Sequence, residues 1–377
     1  MTAHKIMIIA GEASGDMHGG NLVREMRAIE PDLLFYGIGG TKMQMAGVKR
    51  VADAADMAVV GLTEAIAKLR TFLWVMRRLK ASLKDDPPDL VILIDYPDFN
   101  LPMAKAAHKL GIKVLYYISP QVWAWRRGRI NVIRETVDKM VVILPFEEEF
   151  YRGAGVNVTF AGHPLLDEVK TKYDRRDVIK RLGFKEEAVT VALLPGSRTN
   201  EVSTLLPEML AACNALTKTI SPVEFVLPLA STLSFSFISD ILARSSVRVK
   251  VVQEDVYDVI AASDAAIVAS GTATLETALL GTPMVVVYKV SGISYMIGKL
   301  FINVDHISLV NLIAQRKVVP ELIQGDANPE RIAAETRALI TDKKKAREMK
   351  LSFAEIRKKL GSPGAAERTA RIAWEML

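Results

Sequence analysis

The sequence predicts an α/β protein with two doubly wound domains, in which helices cover both faces of a mainly parallel sheet. Short apolar runs typical of buried strands alternate with helical patterns along most of the chain. Several of these runs lead directly into glycine-containing turns, at 11–20, 195–201 and 270–274. The length of 377 residues exceeds a single ordinary core and fits two domains.

A charged segment at 170–181 places the domain boundary near residue 165, because this segment lacks the apolar character of a strand. We therefore expect an N-terminal domain over 1–165 and a C-terminal domain over 166–345. The remaining residues, 346–377, have a helical pattern. We expect these helices to pack back on the N-terminal domain or on a partner subunit.

Composition narrows the class of protein. A hydrophobic content of 50% with 24% charged residues indicates a packed globular chain. A single cysteine, Cys213, excludes an internal disulfide and fits a reducing compartment. No apolar run is long enough to span a bilayer, and the opening segment is typical of a first strand rather than a signal peptide. We expect a cytoplasmic protein that can rest on a membrane surface.

The charge balance favours anionic partners weakly, since 49 basic and 43 acidic residues give a net charge of +6. No helix-turn-helix, zinc-finger or RNA-binding signature is present, so no nucleic-acid partner is expected. The five histidines are scattered, and the chain has no Asp-x-Asp motif. The sequence therefore predicts no metal site.

Two carboxylates follow a predicted buried strand in the stretch ILIDYPDFN at 92–100. Open α/β sheets place reactive groups just outside the carboxyl ends of their strands. Asp95, Asp98 and Asn100 are therefore candidate reactive groups. The alternative is structural, because Asp98 or Asn100 can cap the helix predicted at 101–110.

The turn GEASGDMHGG at 11–20 lies between the first predicted strand and a helix. This order can bring backbone N–H groups to an anion, although the glycine spacing matches neither the dinucleotide motif nor the P-loop. Gly11, Ser14 and Asp16 are the candidate contacts. Alternatively, the segment is a tight turn in which Ser14 or Asp16 caps the helix.

The segment PQVWAWRRGR at 120–129 combines two tryptophans with three arginines. That composition suits an apolar ledge beside a phosphate-binding group. Trp123 and Trp125 can equally be packing residues, which is the commoner role of an indole.

The second half of the chain contains two turns of the kind that bind phosphate. Each follows a predicted strand and offers glycine, hydroxyl groups or a fixed cation at the start of a helix. Capping of the helix is the alternative for the serines, but it does not explain Arg198. The candidate residues are Gly196, Ser197, Arg198, Ser270, Gly271, Thr272 and Thr274.

Two further polar residues have less common settings. Glu276 falls in the first turns of the helix after 270–274, where it can bind both hydroxyls of a ribose or complement the helix dipole. Asn311 lies between apolar neighbours and needs hydrogen-bond partners if it is buried.

Residues 57–80 carry a helical stripe of apolar side chains, and the polar remainder of the segment is mainly basic. Aliphatic and aromatic groups beside Lys and Arg suit a helix at the surface of an anionic membrane. A helix in the core or in a dimer interface is the alternative. The predicted membrane contacts are Ile66, Leu69, Leu73 and Trp74.

Seven motifs of this chain, taken in order, resemble those of the lipid-A-disaccharide synthases. They are GEASGD at 11–16, IDYPDFN at 94–100, SPQVWAWR at 119–126, LPFE at 144–147, LLPGSR at 193–198, ASGTATLE at 269–276 and NLIA at 311–314. The resemblance runs nearly from end to end, which makes it specific. It implies a GT-B glycosyltransferase, with a cleft between two Rossmann-like domains.

The resemblance also implies a reaction and a location. The family joins UDP-2,3-diacylglucosamine to 2,3-diacylglucosamine 1-phosphate (lipid X), giving the β-1,6-linked lipid A disaccharide 1-phosphate and UDP. Its members are cytosolic, associate peripherally with the inner membrane and need no cofactor. Their C-terminal segment can cross to a partner subunit, so a homodimer is one expected arrangement.

The mechanism that the resemblance implies is a single inverting displacement, in which a carboxylate takes the proton of the acceptor 6-hydroxyl. The essential aspartate of the family maps to Asp98, with Asp95 as the alternative, and the essential arginine maps to Arg198. Arg198 would neutralise the departing diphosphate. The phosphate candidates lie at 196–198 and 270–274, Glu276 is the ribose candidate and Asn311 is a further site residue. Gly11, Ser14 and Asp16 are expected to face the cleft from the acceptor domain.

Three other functions stay open on the sequence alone. The first is another GT-B enzyme that uses a UDP-sugar, such as the lipid-linked N-acetylglucosaminyltransferase of cell-wall synthesis or a UDP-sugar 2-epimerase. The second is a non-catalytic module that binds a nucleotide sugar. The third is a nucleic-acid-binding protein, which would show salt-dependent retention on DNA or RNA.

Overall fold

The computed structural model describes residues 3–54, 64–123, 128–290 and 306–377. The chain divides into two compact units. The first unit contains Met1–Pro164 together with Leu360–Leu377, and the second contains Leu165–Lys359. The segment predicted as a single C-terminal tail, 346–377, is therefore divided between the two units.

The first unit is built on a parallel sheet, whose described strands have the order β3-β2-β1-β4-β5-β6-β7. The two central strands are almost entirely buried, which explains why both are continuous apolar runs in the sequence. The strands are β1 Lys5–Ala10, β2 Leu34–Gly39, β3 Lys49–Asp53, β4 Leu90–Ile94, β5 Lys113–Tyr117, β6 Lys139–Val142 and β7 Val158–Phe160.

Helices connect these strands in the alternating pattern that the sequence predicts. They are α1 Ala13–Ile29, α2 Thr41–Met45, α3 Glu64–Asp85, α4 Pro97–His108, α5 Arg129–Thr136 and α6 Pro145–Gly153. Helix α4 begins four residues earlier than predicted, because a proline is well suited to the first turn of a helix. Asp98 therefore lies inside the first turn and not in front of the helix.

The second unit has its own parallel sheet, with described strands in the order β10-β9-β8-β11-β12-β13. The strands are β8 Val189–Leu194, β9 Val223–Pro228, β10 Val249–Val252, β11 Ala265–Ala269, β12 Met284–Tyr288 and β13 Glu321–Ile323. Again the central pair, β8 and β11, is the most deeply buried. The two sheets confirm the predicted doubly wound α/β class.

The helices of the second unit include both short connections and long packed elements. They are α7 Leu165–Glu168, α8 Arg175–Leu182, α9 Thr199–Thr217, α10 Phe235–Leu242, α11 Val256–Ala262, α12 Thr272–Leu279, α13 Leu309–Ala314, α14 Pro329–Thr341 and α15 Lys343–Lys359. Local sequence sets their ends. At α8, for example, the Asp174 carboxylate accepts the Asp177 N–H at 2.9 Å, and Gly183 ends the helix with a φ of 71°.

The last helix, α16 Ala365–Glu375, packs in the first unit. Arg368 fixes the approach to it, since its Nε donates to the Ala161 carbonyl at 2.8 Å. At the far end the Trp374 ring meets the His4 ring edge-on, with 6.1 Å between centroids. Helix α16 thus belongs to the first unit, whereas α15 belongs to the second, and crossing to a partner subunit stays a prediction.

Within the described ranges, no helix is both long enough and apolar enough to cross a bilayer.

Candidate active site

The centre of the first sheet is a point where the chain changes its direction of winding. Strands β1 and β4 lie side by side, with Ala10 opposite Ile94, while β1 leads on to β2 and β4 leads on to β5. The turns after β1 and β4 therefore start side by side at the carboxyl end of the sheet, and the chain then continues in opposite directions along the sheet. In open α/β sheets this is where ligands bind.

The turn after β4 is strained. Asp95 and Tyr96 have φ values of 45° and 46°, which are uncommon for residues other than glycine. The Asn100 amide stabilises the turn, because its Nδ2 donates to the carbonyls of Ile94 at 3.1 Å and Asp95 at 2.7 Å. The Tyr116 hydroxyl also donates to the Asp95 carbonyl. Asn100 therefore holds the turn as a donor and does not cap α4, contrary to the alternative drawn from the sequence.

Asp95 is a partly buried carboxyl with an acidic neighbour. Burial and, to a smaller extent, the nearby Glu12 carboxylate raise its pKa from 3.8 to about 6. The Tyr96 N–H and the charge of His18 oppose this rise. A pKa close to physiological pH is suited to proton transfer.

Gly11 and Tyr96 occupy adjoining space at this edge. A Cβ atom at Gly11 would lie 2.2 Å from Cδ1 of Tyr96, so only glycine lets the ring lie across the turn. The Tyr96 ring stacks on Phe99 with 5.8 Å between centroids. Gly11 thus follows β1 at the edge where Asp95 follows β4, and its immediate role is to make room for Tyr96.

The other residues of the GEASGD turn have separate fates. Ser14 is exposed at the start of α1. Asp16 is buried, and its carboxylate accepts the backbone N–H groups of Gly40 at 2.7 Å, Lys42 at 2.9 Å and Met43 at 2.9 Å. Because these bonds occupy the carboxylate, Asp16 caps α2 and organises the sheet edge.

Asp98 lies in the first turn of α4. Its side chain is 63% exposed and forms an ion pair with Arg129 of α5, which is 17% exposed. Both residues line a cavity of about 490 Å³ between α3, α4 and α5. The two candidate bases therefore have different surroundings, one buried at the change of winding and one in an open, basic groove.

A buried glutamate beside these residues is not indicated as a site residue by the sequence. Glu147 accepts hydrogen bonds from the Ser119 hydroxyl at 2.6 Å, the Trp123 indole N–H at 3.1 Å and the Leu144 N–H at 3.1 Å. Burial raises its pKa to about 7. In the sequence it is an acid in the first turn after a strand, which also fits a helix dipole, and it belongs to the LPFE motif at 144–147, which assigned it no role. Glu147 anchors the segment that leads towards Arg129.

Trp123 is a packing residue, since it is 9% exposed and its ring meets Phe146 edge-on at 4.9 Å between centroids. Trp125 lies at 124–127, outside the described residues.

The second sheet repeats the change of winding with different residues. Strands β8 and β11 are neighbours, with Leu194 opposite Val268, and the two predicted phosphate turns follow them. The structure thus brings 196–198 and 270–274 to one edge. Topology alone explains this meeting, because the carboxyl ends of parallel strands share an edge.

Glu201 completes the first of these turns and is also missing from the sequence prediction. Gly196 has a φ of 110°, and a Cβ there would lie 2.0 Å from Oε2 of Glu201. Burial raises the pKa of the Glu201 carboxyl, opposed by the N–H groups of Ser197 and Arg198 and by the Arg198 charge. The carboxylate therefore lies against the turn and near the Arg198 guanidinium, while Ser197 and Arg198 stay exposed.

The second turn divides into structural and open residues. Thr274 is fully buried, and its hydroxyl donates to the Gly271 carbonyl at 2.7 Å. The Ser270 hydroxyl donates to the Ile307 carbonyl at 3.0 Å. Gly271 and Thr272 are exposed at the start of α12. Ser270 and Thr274 thus shape the turn, and Thr272 is the hydroxyl left open to a ligand.

Glu276 is partly buried in the second turn of α12 and accepts a hydrogen bond from the Tyr257 hydroxyl at 3.2 Å. Burial raises its pKa, and the charge of Glu168 adds to the rise. Its position in the helix agrees with the ribose-binding prediction in geometry and does not test it.

Asn311 is fully buried and its amide is satisfied within the second unit. Its Oδ1 accepts the N–H groups of Val318 at 2.7 Å and Val319 at 2.9 Å. Its Nδ2 donates to the Val319 carbonyl at 3.0 Å and to Glu321 Oε1 at 2.8 Å. The partners expected for a buried amide are thus all protein groups, and Asn311 holds the loop after α13.

Helix α3 has one buried and one exposed face. Val75 and Leu79 are completely buried, whereas Leu73 is 41% and Trp74 is 54% exposed. The Arg78 guanidinium lies 5.1 Å from the centroid of the Trp74 ring. The segment predicted as a membrane helix thus also contributes to the core. The side chains of Ile66 and Leu69, and residues 55–63, lie outside what the structure describes.

Among the described residues, no three His, Cys, Asp or Glu side chains gather as a metal site.

Comparison with known proteins decides the family. The family model described as lipid-A-disaccharide synthetase matches residues 6–374. The lipid-A-disaccharide synthase of Syntrophus aciditrophicus is 57% identical over 380 residues, which cover 100% of this chain and 99% of that protein. This chain belongs to the lipid-A-disaccharide synthase family. It is therefore a glycosyltransferase of lipid A biosynthesis.

Solved structures support the fold of this synthase family member. The UDP-GlcNAc 2-epimerase of Neisseria meningitidis, bound to UDP-GlcNAc, superimposes with a TM-score of 0.67 at 13% identity and covers 98% of this chain and 100% of its own. The calicheamicin glycosyltransferase CalG4 gives a TM-score of 0.62 at 16% identity, with 100% and 99% coverage. At such identities the likeness shows the GT-B fold alone. The epimerase alternative is not favoured, because the family match identifies a synthase.

Proposed function

We propose that this chain transfers 2,3-diacylglucosamine from UDP-2,3-diacylglucosamine to the 6-hydroxyl of 2,3-diacylglucosamine 1-phosphate. The products are the β-1,6-linked disaccharide 1-phosphate and UDP. One observation carries the proposal beyond family membership. The two changes of winding present complementary chemistry, with carboxylates in the first unit and with glycine, hydroxyl and guanidinium groups in the second.

In this proposal the first unit activates the acceptor. Asp98 takes the proton as the acceptor oxygen attacks the anomeric carbon and the bond from that carbon to UDP breaks, which inverts the anomeric configuration. The exposed Asp98 carboxylate is open to a ligand, and its ion pair with Arg129 orients it. Asp95 is the alternative base, supported by its pKa of about 6. General-base assistance of this kind contributes about 10²–10⁴ in rate.

The second unit holds the donor in this proposal. The proposed diphosphate contacts are the exposed Arg198 guanidinium, the exposed Thr272 hydroxyl and the N–H groups at the start of α12. Charge that develops on the leaving UDP is stabilised by the fixed cation. Glu276, held by Tyr257, binds the ribose.

A membrane surface is the third partner in the proposal, since both substrates carry acyl chains. The exposed Leu73 and Trp74 side chains, beside the Arg78 guanidinium, have the composition of an interfacial contact. We therefore place the chain in the cytoplasm, peripherally associated with the inner membrane.

Product analysis with each substrate alone and with both together tests the proposal. We expect UDP and a disaccharide 1-phosphate only when donor and acceptor are both present. Release of UDP or formation of a 2-epimer from the donor alone, at a rate that the acceptor does not change, would contradict it. A protein that binds UDP without forming any product would point to a binding module.

A further inference from the structure

The cavity beside Asp98 extends well beyond the proposed base. Its volume is about 490 Å³, and it runs along one face of α4 between α3 and α5. The α4 residues that line it recur at spacings of three and four, so they form a continuous stripe on the helix. The lining residues are Lys80, Pro97, Asp98, Leu101, Pro102, Lys105, Ala106, Lys109, Arg129 and Val132.

The groove is strongly basic. Of its five charged residues, Arg129 is paired with Asp98, which leaves three lysines. Within the described part of the chain, none of Lys80, Lys105 and Lys109 forms an ion pair with a carboxylate. The rest of the lining is aliphatic, including Leu101, Pro102 and Val132. A groove with surplus positive charge above an apolar floor suits an anionic group attached to a larger, partly apolar molecule.

The position of the lysines relative to Asp98 gives the size of that molecule. Lys105 lies seven residues after Asp98 on one helix, which is about 10 Å along the axis. Helical side chains lean towards the N-terminus, and Lys105 and Asp98 both line the same cavity. Lys80 enters the same groove from α3, the helix that also carries the exposed Trp74. A ligand with its hydroxyl at Asp98 would place an anion one sugar ring away, within reach of Lys105.

We propose that this groove binds the phosphate monoester of the acceptor, with Lys105 and Lys80 as its ligands. The inference rests on the proposed function, since it assumes that the acceptor hydroxyl lies at Asp98. An ammonium group suits this role because a phosphate monoester presents several charged oxygens in no single required orientation. The apolar floor then contacts the sugar and the first part of its acyl chains.

The test is the double variant Lys80→Ala/Lys105→Ala, assayed with two acceptors in detergent micelles. One acceptor is 2,3-diacylglucosamine 1-phosphate, and the other has the same sugar and chains without the phosphate. With the phosphorylated acceptor we expect KM to rise about tenfold while kcat changes little, since charge-assisted hydrogen bonds are lost. With the second acceptor the variant and the wild type should have the same KM. Lys84→Ala, an exposed lysine of α3 outside the groove, is the matched control.

Several outcomes would overturn the proposal. An equal loss with both acceptors would assign the lysines to support of the helices and not to phosphate. An unchanged KM together with weaker sedimentation on phosphatidylglycerol vesicles would assign them to a membrane headgroup. Either outcome leaves transfer by the wild type, and hence the proposed function, intact. If the wild type makes no disaccharide, the proposed function fails, and equilibrium dialysis with the phosphorylated sugar then tests the groove separately.

Discussion

The two central sheet edges of this molecule share a topology and differ in chemistry. At both edges, two neighbouring parallel strands lead away in opposite directions along the sheet. At the first edge the following turn has two strained residues and a carboxyl whose pKa is raised to about 6. At the second edge the turns have glycine at position 196, exposed hydroxyls and an exposed arginine. Since topology is common to both, it supplies a place for a ligand, and the side chains decide which one.

Each unit also has a glutamate in the first turn of a helix that contacts a neighbouring loop. In the first unit the buried Glu147 accepts hydrogen bonds from Ser119 and Trp123, whereas in the second the half-buried Glu201 lies against Gly196 and near the Arg198 charge. In both cases burial raises the pKa of the acid. Neither glutamate is proposed to contact substrate, so we assign both to support of the loops that they contact.

The largest effect is expected from Asp98→Asn, which removes the proposed base while keeping its shape. Disaccharide formation should fall by about 10²–10⁴, because only water remains to accept the proton. The measurement is initial rate with both substrates at saturation. Asp85→Asn, an exposed acid at the end of α3, should keep the wild-type rate. Full activity of Asp98→Asn with loss of activity in Asp95→Asn would move the base to the buried position.

Arg198→Ala removes the cation proposed to bind the diphosphate at the second edge. Without the guanidinium, the charge on the departing diphosphate is less stabilised, and kcat should fall by about 10². Arg198→Lys should recover part of this loss, since it keeps the charge without the bidentate geometry. Arg176→Ala serves as the control, because Arg176 is exposed and pairs with Glu186 away from the site. An unchanged kcat in Arg198→Ala would remove the cation from the mechanism.

Asp95→Asn tests whether burial of the Asp95 carboxylate lowers the stability of the folded protein. The folded-state pKa of Asp95 lies above the unfolded value of 3.8, at about 6, so the folded protein holds the proton more tightly. The stability gained from the neutral group is complete below pH 3.8 and is lost as the pH rises through 6. The variant should therefore be more stable than the wild type at pH 8, by about 1–3 kcal/mol, and similar to it near pH 4. Thermal unfolding at both pH values measures this, and an equal gain at both would contradict it.

Leu73→Ser/Trp74→Ser addresses the exposed face of α3 and has the smallest expected effect. Loss of this apolar area should weaken binding to anionic vesicles roughly tenfold without changing the melting temperature. Leu351→Ser is the control, since Leu351 is 58% exposed in the second unit. If the double variant melts much earlier, the two side chains belong to the packing of α3.

The sequence predicts the architecture well because apolar runs and glycine turns are local signals. In the structure the turns at 196–198 and 270–274 lie at one edge because β8 and β11 are neighbouring strands, an order that fits the doubly wound pattern. The side-chain roles depend on distant contacts and could not be read in the same way. Asp16 caps a helix more than twenty residues later in the chain, and Asn311 binds a loop that it precedes. Glu147 accepts a hydrogen bond from Ser119, although β6 separates the two residues in the chain.

The surroundings of the helix at 64–85 are also not decided by its sequence. Its periodicity identifies an amphipathic element, but an apolar stripe does not state whether the core or a membrane covers it. In the structure the stripe is divided, with Met76 and Leu79 inside and Trp74 outside.

The central claim is that proton transfer takes place at the first edge and anion binding at the second. Isothermal titration calorimetry of UDP binding to the Asp98→Asn and Arg198→Ala variants tests this claim most directly. The account predicts that Asp98→Asn binds UDP with the wild-type Kd although its rate of disaccharide formation falls by about 10²–10⁴, while Arg198→Ala binds UDP about tenfold more weakly. An equal loss of UDP affinity in both variants would contradict it.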